Sequence, residues 1–253
     1  MKFTVLVSII TPSYNSETFI KDTILSVLNQ TFQNWEMIIV DDKSRDESIN
    51  IIQEFIKNDN RIKFIKLNNN MGAAMARNEA LKVSKGRYIS FLDSDDIWSP
   101  AKLEKQLTFM QSNNYPISFT SYETINENGK ENNHIIRTVK SLDLEQYLKN
   151  TIIGFSTSMI DRNLIKEELK FLDIRIRQDT NLWITILKQG YKAYGLDEVL
   201  VKYRIHSNSI SSNKVKAAKQ VWNLYFNIHK FGLLKSIYYF SWYAFNAVKK
   251  RIF

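Results

Sequence analysis

The 253-residue sequence predicts an α/β fold, with a mostly parallel central sheet flanked by helices and a helical C-terminal extension. Three observations predict it. Short apolar, β-branched runs alternate with amphipathic helical patterns through the first hundred residues, which implies right-handed strand–helix–strand units covered on both faces. Polar clusters at Thr11–Asn15, Asp41–Asp46 and Asp93–Asp96 each follow such a run. From Lys214 onward the pattern is helical to the end.

The elements are expected in this order. Val5–Thr11 is a buried strand stopped by Pro12, and Ser16 caps a helix carrying Phe19, Ile20, Ile24, Val27 and Leu28 at helical spacing. Trp35–Val40 is the second strand, and Asp46 caps a helix whose Ile49, Ile52 and Ile56 share a face. Ile62–Leu67, the Ala-rich helix Ala73–Val83 and the strand Tyr88–Leu92 complete the first half. Beyond Pro100 come a helix at Lys102–Met110, a strand at Ile117–Ser121 and a turn at Asn126–Gly129 between antiparallel strands. A short helix capped by Ser141 follows, then a strand at Phe155–Ile160 and a helix at Thr180–Leu187. Two strands at Lys192–Leu196 and Val199–Arg204 precede the terminal helices, which break at Lys230-Phe231-Gly232. The economical division is a catalytic domain over 1–212 and a basic, aromatic-rich helical extension over 213–253.

Composition excludes several functions. The chain has no Cys, so no disulfide framework and no thiolate site exists. Its seven Gly form no G-x-G-x-x-G, and Gly190 to Gly195 is followed by Leu196-Asp197 rather than the Lys-Ser/Thr of a P-loop. Val5–Ile10 is too short for a signal-peptide core. The uncharged stretch Ile237–Val248 is too short for a spanning helix, which needs ~20 apolar residues. The net charge of +9 is concentrated at one end: Val199–Phe253 holds ten basic residues and no acid, whereas the first 198 residues hold 25 basic and 26 acidic ones.

Ligands of open α/β sheets bind outside the carboxyl ends of the strands, so the three polar clusters should converge on one crevice. Asp93-Ser94-Asp95-Asp96 sets three carboxylates directly after a buried strand. Hard cations such as Mg²⁺ or Mn²⁺ take oxygen ligands and keep waters and substrate phosphates in their shell. Taken alone, such a tetrapeptide serves equally as a solvated loop before the helix beyond Pro100.

Its context narrows the choice. Val7-Ser8-Ile9-Ile10-Thr11-Pro12-Ser13-Tyr14-Asn15, Ile38-Ile39-Val40-Asp41-Asp42-Lys43-Ser44, Ala76-Arg77-Asn78 and Phe91-Leu92-Asp93-Ser94-Asp95-Asp96 occur in that order. They are followed by Arg177-Gln178-Asp179-Thr180-Asn181-Leu182-Trp183 and by Tyr203-Arg204-Ile205-His206-Ser207-Asn208-Ser209-Ile210-Ser211. This sequence resembles the family 2 glycosyltransferases of GT-A fold, over residues 4 to 212. It is most similar to those that build bacterial surface polysaccharides of the teichuronic-acid and O-antigen type.

The resemblance implies inverting transfer of a sugar from a nucleotide diphosphate, UDP first among them, to an acceptor hydroxyl. It implies that Thr11, Pro12, Tyr14, Asn15, Asp42, Arg77, Asp93 and Ser94 hold the donor, with Tyr14 and Asp42 at the base. Asp95 falls on the D-x-D element that carries the divalent metal, Mn²⁺ or Mg²⁺, on the diphosphate. His206 falls where some relatives complete the metal shell; otherwise it is a surface or packing residue. Arg204 either neutralises the diphosphate or is exposed. Asp179 matches the general base, or else caps its helix. The family's usual Glu is replaced here by Gln178, which removes a like charge beside Asp179. His134 and His229 carry no partner pattern, and Trp98 and Trp183 suit packing.

The tail holds 11 of the 32 aromatics. Rings beside Lys and Arg suit an interfacial helix on anionic lipid, or a helix pair packed on the domain with its lysines in water. The expected partners are a nucleotide-sugar donor, a lipid-linked or glycan acceptor, and a membrane contacted peripherally at its cytoplasmic face. Nucleic acid is not expected, because the body of the chain is slightly acidic and no recognition motif accompanies the tail. The alternatives are a sugar-phosphate nucleotidyltransferase, which would want glycine in Thr11–Asn15, and a non-catalytic membrane-associated scaffold.

Overall fold

The computed structural model describes residues 6–206 and 214–252. Residues 207–211 of the last motif and the 212/213 division lie outside them. Among the described residues ten strands form one sheet, ordered β3-β2-β1-β4-β9-β6-β10-β5, with β7 beside β6 and β8 beside β10. The first half runs β1 (Val7–Ser13), α1 (Ile20–Leu28), β2 (Trp35–Asp41), α2 (Ser48–Asn58), β3 (Ile62–Lys66), α3 (Ala73–Val83) and β4 (Tyr88–Phe91). These four strands are parallel to one another.

The second half runs β5 (Ile97–Trp98), α4 (Lys102–Asn113), β6 (Ile117–Ile125), β7 (Glu131–Ile136), β8 (Ser141–Leu142), α5 (Leu144–Lys149), β9 (Met159–Asp161), α6 (Gln178–Leu187) and β10 (Ala193–Arg204). β9 is antiparallel to β4 and to β6, so β6 and β10 again point the same way as β1. The chain closes with α7 (Lys214–Asn223), a π-type turn at Leu224–Ile228 and α8 (Leu233–Ile252).

Successive side chains of a strand face opposite sides. Ile10, Ile38 and Val40 therefore join one buried layer with α3, α5 and α6. Val7, Ile9, Met37 and Ile39 join the other, with α1, α2 and α4. Val221, Leu224 and Tyr225 of the C-terminal segment belong to the first layer, with Tyr239, Phe240 and Tyr243 of α8 packed against it. The break at Lys230-Phe231-Gly232 is present, with Lys230 and Gly232 at positive φ.

Several element boundaries differ from expectation, each for a local reason. β1 continues through Pro12 to Ser13 in register with β2, because β4 has already ended opposite Ile10 and asks nothing of the missing proline N–H. Ser16 does not cap α1 through its side chain; that hydroxyl meets Ser13, and Ser16 N–H donates to Ser48. Asp46 sits ahead of the α2 cap, Glu47, and receives Ser48 N–H at 3.1 Å and Glu17 N–H at 3.0 Å. Asp143, not Ser141, caps α5, in a reciprocal capping box with Gln146. Lys192–Arg204 is a single strand from Ala193, irregular between Leu196 and Val199 rather than broken. Phe155–Thr157 coils into a 3₁₀ turn, which stacks Phe155 on Phe91 at 4.5 Å, and the strand starts only at Met159.

Candidate active site

The expected crevice exists at the carboxyl edge of the sheet. A cleft of about 490 Å³ is lined by Pro12 and Tyr14 after β1, Asp42 after β2, Arg77 on α3, Asp93, Ser94 and Asp95 after β4, and His206 after β10. Arg175, Arg177, Gln178 and Asp179, at the start of α6, form its other side. A roomier hollow of about 640 Å³ between α3 and residues 162–170 contains none of these groups. Parallel packing explains the convergence, since β1, β2, β4 and β10 all end on this edge.

The carboxylate cluster divides its labour. Asp93 pairs with Arg77 at 2.6 Å. Asp95 faces His206, Oδ2 to Nε2 at 2.9 Å. Asp96 is fully buried beneath them, receiving Arg204 N–H at 2.9 Å and the Ser156 hydroxyl at 2.5 Å. Burial raises the Asp95 pKa and Asp93 adds to the rise, while the His206 contact opposes it. Burial likewise pushes Asp96 well above the usual carboxylate range, with Asp95 and Asp93 contributing.

A divalent cation fits this donor set as a shared ligand. Asp95 and His206 offer a carboxylate and an imidazole side by side, and crowded carboxylates gain from a cation between them. Among the described residues no group of three or more His, Cys, Asp and Glu could hold an ion unaided. The remaining positions would fall to diphosphate oxygens and water, as Mg²⁺ and Mn²⁺ sites commonly arrange.

Arg77 is the hub between the two walls. Its Nη1 donates to Gln178 Oε1 at 2.6 Å, its Nη2 to Asp93, and its guanidinium lies 4.5 Å from the Phe155 ring centre. Its Nε is buried without a partner. Gln178 thus has a structural reason in this chain: a neutral acceptor for Arg77 that adds no charge beside Asp179. Asp42 receives the N–H groups of Met71 at 2.6 Å and Gly72 at 2.8 Å. Gly72 has φ +88°, which L side chains rarely adopt, and leads directly into α3. Tyr14 is half exposed on the rim, its ring available as a flat surface.

Asp179 lies in the first turn of α6 but is not its cap; Arg177 is, in the left-handed region at φ +64°. Three residues expected at the donor do not line the cleft. Thr11 is fully buried with its hydroxyl unpartnered. Asn15 accepts Arg45 N–H at 2.9 Å and so holds the β1 and β2 loops together. Arg204 is 2% exposed, neither solvent-facing nor open to a diphosphate. Its Nε donates to Asp95 O at 2.8 Å and its Nη1 to Glu127 O at 2.9 Å, so it latches the carboxylate loop from below. His134 is exposed, His229 bonds Asn181 at 3.0 Å, and Trp98 and Trp183 are buried packing residues.

Sequence reasoning missed Ser156 and Tyr122, and gave Tyr203 no role of its own within its motif. The Ser156 hydroxyl also receives Asp93 N–H at 3.1 Å, so one side chain orders both ends of the acidic loop. Tyr122 and Tyr203 line the cleft floor, and burial pushes the Tyr122 phenol up to about 12. No short-range signal ties them to Asp93–Asp96, because they reach the site across the sheet.

A family model described as Glycosyl transferase family 2 matches residues 8–169. The chain is a family 2 glycosyltransferase. The transferase is 49% identical to TuaG of Bacillus subtilis (strain 168), named for teichuronic acid biosynthesis, over 98% of each chain. It is 40% identical to WfgD of Escherichia coli, a UDP-Glc:alpha-D-GlcNAc-diphosphoundecaprenol beta-1,3-glucosyltransferase, over 98% of this chain and 96% of that one. In fold the glycosyltransferase is similar to S. aureus TarS 1-349 in complex with UDP-GlcNAc, at TM-score 0.72 and 20% identity, covering 89% of this chain and 69% of that one. It is also similar to the mannosyltransferase PcManGT of Pyrobaculum calidifontis in complex with GDP-Man and Mn²⁺, at TM-score 0.69 and 15% identity over 92% and 69%. The fold is thus the GT-A α/β type that the motifs imply.

Proposed function

We propose that this glycosyltransferase moves a sugar from a nucleotide diphosphate, in the first instance a UDP-sugar, to a hydroxyl of a lipid-linked or polysaccharide acceptor, with inversion. The setting is bacterial surface-glycan synthesis, in keeping with TuaG and WfgD. The observation that carries the reading is the convergence of Tyr14, Asp42, Arg77, Asp93, Ser94 and Asp95 on one wall of a cleft whose other wall bears Asp179.

On this reading Tyr14 stacks on the base, Asp42 bonds its edge, and Arg77, Asp93 and Ser94 orient the donor. Asp95 and His206 are the protein ligands of a divalent cation. When bound, it supplies Lewis-acid stabilisation of the departing diphosphate, so no proton donor is needed there. Asp179 takes the proton of the acceptor hydroxyl as that oxygen bonds the anomeric carbon. The bond from that carbon to the diphosphate oxygen breaks on the opposite face, releasing nucleoside diphosphate. Asn15 and Arg204 act from behind by fixing the strand-end loops, and Thr11 is a buried residue of β1. Residues 213–253, treated as an extension of the catalytic 1–212, bring the enzyme to the inner face of the cytoplasmic membrane.

A transfer assay with purified enzyme and a panel of UDP-, GDP- and dTDP-sugars tests the reading. One nucleotide class should support divalent-cation-dependent transfer, and Asp179→Asn should lower that rate by roughly 10²–10⁴-fold, the usual contribution of a positioned base. Undiminished transfer by Asp179→Asn removes the base assignment. Release of pyrophosphate from a nucleoside triphosphate would favour a nucleotidyltransferase instead.

A further inference from the structure

The α6 side of the cleft carries two arginines that the donor chemistry leaves unused. Arg175 is exposed, and among the described residues its side chain has no hydrogen bond or ion pair. Arg177 is part-buried, and among the described residues its side chain makes one hydrogen bond, to the Tyr243 hydroxyl at 2.8 Å, and no ion pair. The other basic side chains of the cleft differ: Arg77 is paired with Asp93, and His206 faces Asp95. Two guanidiniums without a carboxylate partner among the described residues therefore line the same cleft as Asp179.

Their placement is built by the fold. Arg177 adopts φ +64°, a left-handed conformation that a non-glycine residue takes only at a cost. Its guanidinium is held against α8 by the Tyr243 hydroxyl and lies 5.8 Å from the Tyr243 ring centre. It also begins a ten-residue helix whose free N–H groups add positive potential in the same place. Tyr243 leaves the rest of the Arg177 fork available, and a planar guanidinium matches phosphate oxygens in pairs.

We infer that Arg175 and Arg177 form an anion subsite on the acceptor side, which takes a phosphate group attached next to the acceptor sugar while Asp179 faces its hydroxyl. The inference deepens the transferase reading, since it presupposes that the acceptor approaches from the α6 side. Two sources share this chemistry, the diphosphate of a lipid-linked sugar and the phosphodiester of a charged polymer. A neutral glycan acceptor would leave both guanidiniums without a counter-charge.

Calorimetric titration tests the subsite with the donor site filled by saturating UDP and Mn²⁺. The probes are decyl diphosphate, for a lipid carrier, and a glycerol-phosphate oligomer, for a polymer. The full chain should bind one of them, and Arg177→Gln or Arg175→Gln should each weaken that binding by roughly tenfold or more. Arg177→Lys, which keeps the charge but not the fork, should recover part of it. UDP affinity, measured separately, should not change in any variant. Binding of neither probe, equal binding by the variants, or a parallel loss of UDP affinity would overturn the proposal. Arg175→Gln alters an exposed side chain without partners, so folding does not confound it. Because this titration reads no transfer, a failure here is separable from a failure of Asp179→Asn to lose activity.

Discussion

Asp96 and Arg204 lie beneath the cleft, yet the loop above them takes its shape from them. Asp96 ties β4 to β10 through Arg204 N–H and to the 3₁₀ turn through Ser156, while Arg204 closes over the backbone of Asp95. Buried polar groups pinned on all sides hold a site rigid, and rigidity is what the proposed cation site requires. His229 does comparable work at the tail. Burial, helped by Lys188, lowers its pKa from 6.5 to about 4, and it stays neutral against Asn181 of α6. The unfolded chain binds that proton first, so this contribution is complete above pH 6.5 and is lost as pH falls toward 4. Urea denaturation across that window should therefore show a falling midpoint, and His229→Gln should flatten the fall; an unchanged slope would show that other groups cause it.

At the level of elements, α8 is a two-faced helix. Tyr239, Phe240 and Tyr243 pack inward, and Asn246 bonds Lys149 O at 2.9 Å. Leu234, Ile237, Tyr238, Trp242 and Phe245 form an outward stripe, with Leu234 83% exposed. A helix that is apolar on both faces and packed on one has an unsatisfied side. With no acid anywhere from Val199 to Phe253, an anionic bilayer surface suits that side. None of the described helices is long and apolar enough to cross a membrane. Flotation with phosphatidylglycerol-containing vesicles should recover the full chain, whereas a Leu234→Ser, Trp242→Ser, Phe245→Ser triple variant should stay in the soluble fraction. Equal recovery of both would remove the stripe from membrane contact. The sequence leaves packing and docking as alternatives for the tail, because periodicity reports apolar positions without saying which of them meet a partner. α3 was legible to the residue, since an Ala-rich run needs no tertiary information. Phe155–Thr157 was not, because Ser156 in that turn bonds Asp96 across 60 residues of chain, which no local pattern reports.

Across the whole molecule, the order of strand ends carries the argument. Motifs after β1, β2 and β4 were readable as one crevice because parallel strands share a carboxyl edge. β10 joins that edge through the antiparallel β9, a crossing that no local pattern announces, and it brings His206 to Asp95 over a separation of 111 residues. The cleft is thus an assembly of two walls, one bearing the residues proposed to hold the donor and the other Asp179, with Arg77 and Gln178 joining them. The central claim is that the first wall binds a nucleotide diphosphate through a cation on Asp95. Calorimetric titration of UDP-sugar with and without Mn²⁺ tests it most directly, on the unsubstituted chain, Asp95→Ala and Asp179→Asn. The account predicts that Mn²⁺ tightens donor binding in the unsubstituted chain and in Asp179→Asn, and that Asp95→Ala abolishes the gain. Donor binding indifferent to Mn²⁺, or a gain that survives Asp95→Ala, would contradict it.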